Sequence, residues 1–362
     1  MAAPYDTKGR CKGGVKYVAD SIITQKDNLT LNNIDIYSFN INVIERKKDS
    51  NGRLRLENIV NYYVLLNKLK KYCSRTFFDT LYYHSSIKLA LLKDLLIIKK
   101  IKNGKKTLRI VLHIHYAEYE KIMFSKKMLN NLILNLINKY IDMVIFLSDK
   151  TRQEFISHGI NKEKTVCIYN FHQIRIDESD YIKKIKNAPN KRIVLTFMGS
   201  IDKRKGIIDC LRALNNCNFD FVFNICGELN DSEIETEFNK MVDNLNGKAK
   251  YHGYVSGKHK EDILLNTDVL LLPSYGEGLP IVLLEALASG CSIITTNVGA
   301  ITEILNDENG IIIIPGDIEG LKKAIIRLND DRNLLTEQMR RNFILSKQYY
   351  IDSFIDRISS IL

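Results

Sequence analysis

Two carboxylates flank a glycine-rich turn in the second half of the chain. Glu277 lies within the turn and Glu285 follows eight positions later, inside an apolar segment. At a rise of about 1.5 Å per helical residue, the two groups are too far apart to share one proton-transfer site, so they suit a long polar ligand. Alternatively, Glu277 is an ordinary turn residue and Glu285 is a solvated helix residue. An idle carboxylate would be expensive to hold among the apolar neighbours of Glu285, which favours a binding role.

The turn joins an apolar strand to a helix. Residues 268–273 form a short apolar run that ends in Pro273, as expected of a strand buried on both faces of a parallel sheet. Pro280 occupies the expected first helical position, and residues 281–288 favour a helix. The N-terminus of such a helix carries a partial positive charge and unpaired N–H groups. This turn therefore suits an anionic ligand.

A second turn offers two adjacent cations. Arg204 and Lys205 lie in residues 199–206, which follow an apolar strand and open a helix. A planar guanidinium beside an ammonium group suits a diphosphate. The alternative is a solvated basic loop. The context favours the diphosphate, because two strand-to-helix turns of one parallel sheet can face the same ligand.

The first half of the chain offers weaker candidates. Residues 108–115 predict a strand with His113 and His115 on one face, and His115 at the carboxyl end, where ligands bind in open α/β sheets. A single histidine at a strand end is more often structural than catalytic. Gly13 and Gly14 could let the backbone approach a ligand, or merely begin a helix.

The elements that must position these residues alternate between strands and helices along the chain. This alternation predicts an α/β protein with two Rossmann-like doubly wound parallel-sheet domains facing across a cleft. The predicted domains are residues 1–172 and 191–346, joined by a polar linker at 173–190, with a last helix at about 347–362 that could pack back on the first domain. No strand is evident before Gly13. Either the first sheet lacks its central strand or the native chain begins upstream.

Composition limits the function classes. The chain has 45% hydrophobic residues, no long uncharged apolar stretch and no secretory signal, and its seven cysteines form no CxxC pair. These features predict a cytoplasmic protein with reduced thiols. Residues 1–170 hold 30 Lys and Arg against 15 Asp and Glu, whereas residues 171–362 hold 23 against 27. The basic half suits an anionic membrane surface or a phosphate-bearing acceptor; nucleic acid would not explain the second half.

The motifs of the second half, taken as a set, resemble the retaining glycosyltransferases of family 4, which have the GT-B fold. The resemblance is dense from residue 193 to about 316 and thinner before it. The matching features are Gly199, Lys205-Gly206, Gly227, residues 252–255, 273–286 and 297–303, and in the first half Gly13-Gly14, His115, Leu147-Ser148 and Asn170.

The resemblance implies transfer of a sugar from a UDP-sugar or GDP-sugar, with retention at the anomeric carbon. Arg204 and Lys205 would neutralise the leaving diphosphate, and Glu285 would accept hydrogen bonds from the ribose. Glu277 and its turn would hold the donor sugar, which His115 would reach from the first domain. The remaining predicted donor contacts are Gly13, Gly14, Gly199, Gly227, Tyr254, Gly278, Leu279 and Pro280.

The expected enzyme needs neither metal nor cofactor. No Asp-x-Asp pair, which could hold a metal, ends a strand, and the cations Arg204 and Lys205 make a metal unnecessary. The sequence departs from the family at Ser200, where the family often has an arginine. The expected acceptor is a glycan or a lipid-linked glycan of bacterial surface polysaccharide or lipopolysaccharide, met at the inner face of the cell membrane. The alternatives are an inactive nucleotide- or glycan-binding module and, with less support, a nucleotide-sugar epimerase of the same fold.

Overall fold

The computed structural model describes residues 1–3, 14–25, 27, 29, 34–41 and 56–362. Gly13 lies outside these residues. The chain divides into two compact units, of which unit 1 comprises Met1–Tyr169 and Phe354–Leu362 and unit 2 comprises Asn170–Ser353. Each unit contains a six-stranded parallel sheet with flanking helices. The two predicted doubly wound α/β domains are therefore confirmed.

The sheet of unit 1 has the strand order β2-β1-β3-β4-β5-β6. Its strands are β1 (Ala2–Ala3), β2 (Phe39–Asn40), β3 (Thr80–Ser85), β4 (Arg109–Ile114), β5 (Met143–Phe146) and β6 (Thr165–Cys167). Its helices are α1 (Gly14–Thr24), α2 (Leu56–Arg75), α3 (Lys88–Gly104), α4 (Tyr119–Ile122), α5 (Lys127–Tyr140) and α6 (Asp149–Ser157).

The sheet of unit 2 has the strand order β12-β11-β10-β7-β8-β9. Its strands are β7 (Ile193–Met198), β8 (Phe221–Cys226), β9 (Ala249–Gly253), β10 (Val269–Leu272), β11 (Ser292–Thr296) and β12 (Ile311–Ile313). Its helices are α7 (Glu178–Asn187), α8 (Ile207–Asn215), α9 (Glu235–Asn244), α10 (Gly257–Leu265), α11 (Ile281–Ala288), α12 (Ile318–Asp330) and α13 (Arg332–Ser346). The chain returns to unit 1 within α14 (Ile351–Ser359).

The central strand that the sequence did not reveal is present but short. β1 consists of Ala2 and Ala3, both fully buried, and it pairs in parallel with β2 and β3. The hypothesis that the first sheet lacks this strand is therefore wrong. Two alanines have neither the β-branched side chains nor the alternation that identify a strand in a sequence.

The predicted linker is largely folded. Residues 173–190 include α7, in which Lys184 and Ile185 are buried, and the boundary between the units falls instead after Tyr169. The ammonium group of Lys184 donates to the carbonyl of Ser289 at 2.6 Å, and burial lowers its pKa. A polar surface helix and a linker have similar compositions, so only the packing distinguishes them.

The strand order of unit 2 brings the two candidate turns together. β7 and β10 are neighbours, with Leu195 opposite Val269, although two strands and three helices separate them in sequence. The sheet grows outward from this pair in both directions, so the chain reverses its order between β7 and β10. In open α/β sheets, ligands bind beyond the carboxyl ends of strands at such a point.

No helix in the described part of the chain combines the length and hydropathy that a membrane span requires.

Candidate functional site

An ion pair joins the two turns that follow β7 and β10. The ammonium group of Lys205 donates to Glu277 Oε1 at 2.6 Å, and Nη1 of Arg204 lies 3.9 Å from Oε2 of the same carboxylate. Glu277 is only 6% exposed. Two cations thus face one carboxylate, which leaves the group with a net charge of +1. Such a group attracts an anion. No pattern in the sequence indicates that Glu277 pairs with Lys205, because 72 positions separate them.

The cations are held by the backbone of both turns. Asp202 caps the short 3-10 turn Lys203–Lys205 by accepting a hydrogen bond from the backbone N–H of Lys205 at 3.0 Å. The carbonyl of Arg204 accepts from the N–H of Tyr275 at 2.8 Å, and the Arg204 guanidinium donates to the carbonyl of Gly276 at 2.8 Å. The positions of the charged groups are therefore set by main-chain contacts between the turns.

Gly206 permits this close approach. Its φ is +72°, in the left-handed region, and a Cβ added there would lie 2.3 Å from the carbonyl oxygen of Pro273. Only glycine fits without a shift of the backbone. The glycine after Lys205 therefore sets the distance between the two turns.

The predicted donor glycines Gly199 and Gly227 are packed against each other. A Cβ added to Gly227, which has φ of +154°, would lie 1.7 Å from the carbonyl oxygen of Gly199. The N–H of Gly227 donates to the carbonyl of Gly253 at 2.7 Å. A Cβ added to Gly199 would meet only ordinary contacts, at 3.8 Å or more from Lys205. Gly227 is thus required by packing, whereas the space around Gly199 would admit a methyl group.

The remainder of the Glu277 turn is anchored through its carbonyl groups. The carbonyl of Gly278 accepts from the N–H of Ala300 at 2.9 Å, and that of Leu279 accepts from the side-chain amide of Asn170 at 2.7 Å. Leu279 and Pro280 are buried. Helix α11 begins one residue later than expected, with Pro280 at its N-cap.

Glu285 is buried on α11 and already has a cationic partner. It is 3% exposed and forms an ion pair with Lys260 of α10. Burial raises the pKa of Glu285, and the charge of Lys260 partly offsets that rise. The pairing was missed because the two residues lie 25 positions apart on different helices, a separation that no spacing rule connects.

The other predicted residues lie elsewhere in their units. His115 follows β4 in unit 1, and burial lowers its pKa to about 3, so the imidazole is neutral. Tyr254 follows β9 and is 57% exposed. Gly14 is the exposed first residue of α1. The site assignments of these residues stay predictions.

Most of unit 2 is similar to a known protein family. Residues 178–345 match the model of the family "Glycosyl transferases group 1". This segment is therefore similar to a glycosyl transferases group 1 domain. It includes both turns, Glu285 and Lys260.

Several curated proteins are similar to the chain. An uncharacterized 41.2 kDa protein of the cps region of Klebsiella pneumoniae is 25% identical over 80% of this chain and 81% of its own length. The capsular polysaccharide biosynthesis glycosyltransferase CapM of Staphylococcus aureus is 26% identical over 53% of both chains. An Escherichia coli UDP-Gal:alpha-D-GlcNAc-diphosphoundecaprenol alpha-1,3-galactosyltransferase is 26% identical over 59% of this chain and 54% of its own. The match thus spans only about half the length of the latter two.

Solved structures resemble the chain over almost its whole length. Anabaena HepE in complex with UDP and glucose superposes with a TM-score of 0.72 at 18% identity, covering 99% of this chain and 98% of its own. The lipopolysaccharide outer core galactosyltransferase WaaB in its apo form gives 0.69 at 16% identity, covering 99% and 98%. At these identities the likeness shows the fold, which is the two-domain Rossmann-like fold of GT-B glycosyltransferases.

Proposed function

We propose that the protein is a retaining glycosyltransferase that moves a sugar from a UDP-sugar or GDP-sugar to a glycan or lipid-linked acceptor. The observation that carries this proposal is the group of Arg204, Lys205 and Glu277 at the carboxyl ends of β7 and β10 in a segment similar to a glycosyl transferases group 1 domain. Further support comes from the structural neighbour HepE, which was solved with UDP-glucose.

The two cations act on the leaving diphosphate. When the bond between the sugar and the diphosphate breaks, negative charge develops on the diphosphate oxygen, and cations already in place stabilise it without reorganisation. Glu277 keeps the Lys205 ammonium group in position before the donor binds, since the two are 2.6 Å apart. The two side chains supply the charge that a magnesium ion supplies in other enzymes, so we propose that transfer needs no metal.

Glu285 binds the donor ribose in this proposal. An ionised carboxylate accepts hydrogen bonds from two hydroxyl groups, and the charge of Lys260 favours the ionised form of the buried Glu285. His115 contacts the donor sugar, as the resemblance implies. The acceptor hydroxyl bonds to the anomeric carbon on the face that the diphosphate leaves, and its proton passes to the leaving group.

The acceptor belongs to bacterial surface polysaccharide or lipopolysaccharide in this proposal. The relatives named for a cps region, for capsular polysaccharide and for a diphosphoundecaprenol substrate support it. A lipid-linked acceptor would be met at the cytoplasmic face of the membrane. Anionic lipids at that face would attract the basic first half of the chain. The alternative of an inactive binding module rested mainly on a missing first strand. That strand is present as β1, so this alternative has less support.

A panel of nucleotide sugars tests the proposal. The full-length protein is incubated with each donor in EDTA, and donor hydrolysis, transfer and thermal stabilisation are measured. One donor is expected to stabilise the protein and to release its nucleoside diphosphate. The control is Lys205→Ala/Glu277→Gln, which removes the pair without leaving a buried charge. Epimer formation, or an equal response of the control, would contradict the proposal.

A further inference from the structure

Three carbonyl groups of the turn at residues 276–280 accept hydrogen bonds from other segments of unit 2. The Arg204 guanidinium and the backbone N–H of Ala300 supply two of these bonds. The third comes from the side-chain amide of Asn170, which lies 2.7 Å from the carbonyl oxygen of Leu279. Asn170 is the first residue of unit 2 and precedes Leu279 by 109 positions. It is therefore a side-chain anchor of the turn from a distant part of the sequence.

The carbonyl of Leu279 depends on this contact because the adjoining helix does not use it. Helix α11 begins at Ile281, and the carbonyl of its N-cap Pro280 accepts from the N–H of Leu283 at 3.2 Å. The carbonyl of Leu279 precedes that bond and belongs to a residue that is only 3% exposed. A buried carbonyl without a partner is costly. The amide of Asn170 thus supplies a hydrogen bond that the helix cannot.

The side-chain carboxamide of Asn170 makes a single hydrogen bond among the described residues. Asn170 is 6% exposed, and its Oδ1 atom is buried without a hydrogen-bond partner. The amide cannot be reversed, because reversal would place its oxygen against the carbonyl oxygen of Leu279. A buried carboxamide with one hydrogen bond is expensive to keep for stability alone. This cost favours a functional use of the bond to Leu279.

The anchored carbonyls leave the N–H groups of the turn available. The chain contains no cis peptide bond among the described residues, and in a trans peptide the C=O and N–H groups point in opposite directions. The N–H groups of Glu277, Gly278 and Leu279 have no acceptor in the part of the chain that the structure describes. While the carbonyls stay bonded to the protein, these donors can bind a ligand.

We propose that Asn170 is a positioning residue for the sugar of the nucleotide donor. Its amide holds the Leu279–Pro280 peptide and so keeps the turn at residues 276–280 in the conformation that receives the sugar. This inference rests on the proposed function, in which the turn contacts the sugar and the two cations contact the diphosphate. Loss of the Asn170 amide should therefore affect the sugar end of the ligand and leave the diphosphate contacts largely in place.

Comparing each nucleotide sugar with its sugar-free nucleotide tests this role. The probes are the UDP-sugars and GDP-sugars of the panel, each with UDP or GDP as its counterpart, titrated into the full-length protein by calorimetry. Asn170→Ala should weaken binding of the nucleotide sugar about 10-fold and change binding of the nucleoside diphosphate by less than about 2-fold. The kcat of donor hydrolysis should fall by about 10- to 100-fold, as misplacement of a site by a remote substitution does.

Asn342 on α13 provides a matched control. It is 0% exposed, its amide donates to the carbonyls of Cys291 and Asn309 at 2.7 and 2.8 Å, and its Oδ1 atom also lacks a partner among the described residues. Cys291 and Asn309 precede β11 and β12, so these contacts lie at the amino end of the sheet, away from both turns. Asn342→Ala should lower the melting temperature at least as much as Asn170→Ala. It should leave the ratio of the two affinities unchanged.

Circular dichroism and the melting temperature establish that each variant is folded. If Asn170→Ala does not fold, Asn170→Ser, which leaves a smaller cavity, is compared with Asn342→Ser. An unchanged affinity ratio in the folded Asn170 variant, or an equal change in the Asn342 variant, would overturn the positioning role. In both cases the wild type would still bind and hydrolyse its donor, so the proposed function would stand. A wild type that binds no nucleotide sugar of the panel would overturn both.

Discussion

Lys205 shows how a neighbouring carboxylate changes the role of a catalytic candidate. The ammonium group lies 2.6 Å from Glu277, and the side chain of Lys205 is 15% exposed against 7% for Glu277. The pair therefore has two functions in the proposal, since it holds the turns together and it supplies charge to the diphosphate. A variant must separate these functions before a loss of activity can be interpreted.

Lys205→Ala is expected to lower kcat by about 10²- to 10³-fold, because it removes a cation that stabilises the leaving group, an effect of about 2.7–4 kcal/mol. It also leaves Glu277 buried without its closest partner, which we expect to lower the free energy of unfolding by up to about 3 kcal/mol. Steady-state kinetics and urea unfolding measure the two effects.

Two further variants separate catalysis from stability. Lys205→Ala/Glu277→Gln should recover most of the stability and none of the activity. Lys203→Ala, in the same turn but with an exposed ion pair to Glu233, should change neither. Recovery of activity in the double variant would show that the cation is structural.

The pH dependence of donor binding tests Glu285. Burial raises its pKa above the ordinary value of 4.5, so the carboxylate protonates at a higher pH than an exposed glutamate. Donor affinity in the wild type should therefore weaken as the pH falls toward this raised pKa, because a protonated carboxyl accepts ribose hydrogen bonds less well. In Glu285→Gln, affinity should be low and independent of pH in the same range, with kcat at saturating donor less affected.

The pH dependence of stability in the wild type and in Glu285→Gln independently tests whether folding raises the pKa of Glu285. In the window between the unfolded and the raised folded pKa, the folded wild type binds more protons than the unfolded chain, so stability falls as the pH rises through it. Glu285→Gln has no such group. The wild type should gain stability relative to this variant as the pH is lowered; a relative loss would mean that Lys260 outweighs burial.

At the scale of elements, the packing of the two turns depends on Gly206. Gly247 provides a matched comparison, since its φ of +78° resembles the +72° of Gly206 but an added Cβ there meets nothing within 4 Å. Gly247→Ala should lower the free energy of unfolding by about 1–2 kcal/mol, the strain of a left-handed alanine. Gly206→Ala should lower it further, because its Cβ would lie 2.3 Å from the Pro273 carbonyl. Equal losses in urea unfolding would contradict the packing argument.

At the scale of the whole molecule, the charge of residues 1–170 predicts binding to anionic membranes. Helix α3 is rich in lysine, whereas α5 begins with the exposed Lys127 and also exposes Met128 and Leu132, at 78% and 43%. Most such helices simply pack one apolar face on their sheet, so a direct test is needed. Exposed lysines near acidic lipid contribute about 1 kcal/mol each and are screened by salt.

Vesicle co-sedimentation measures this interaction. The wild type should bind vesicles that contain anionic lipid, less strongly as salt rises. Lys126→Glu/Lys127→Glu, at the start of α5, should reduce binding, whereas Lys240→Glu/Lys250→Glu, with the same charge change on exposed residues of unit 2, should not. Equal binding to neutral vesicles, or equal loss in both variants, would contradict docking through α5.

The sequence by itself determined the α/β class, the two sheets and both candidate turns. Buried parallel strands and strand-to-helix turns are local features, and runs such as residues 269–272 reveal them without tertiary information. The resemblance carried by residues 273–286 depends on the same local spacing. Gly206 and Pro280 could be placed at turns because the conformational preferences of glycine and proline act on the chain itself.

Tertiary structure alone decided which charges meet and where the units divide. The pairs Lys205–Glu277 and Lys260–Glu285 join different turns and helices, and sequence separation does not encode such contacts. The two-residue strand Ala2–Ala3 exists because its neighbours offer hydrogen bonds on both sides, and α7 belongs to unit 2 because Lys184 and Ile185 are buried there. The position of His84 opposite His113 likewise depends on the register of β3 against β4, which only the assembled sheet fixes.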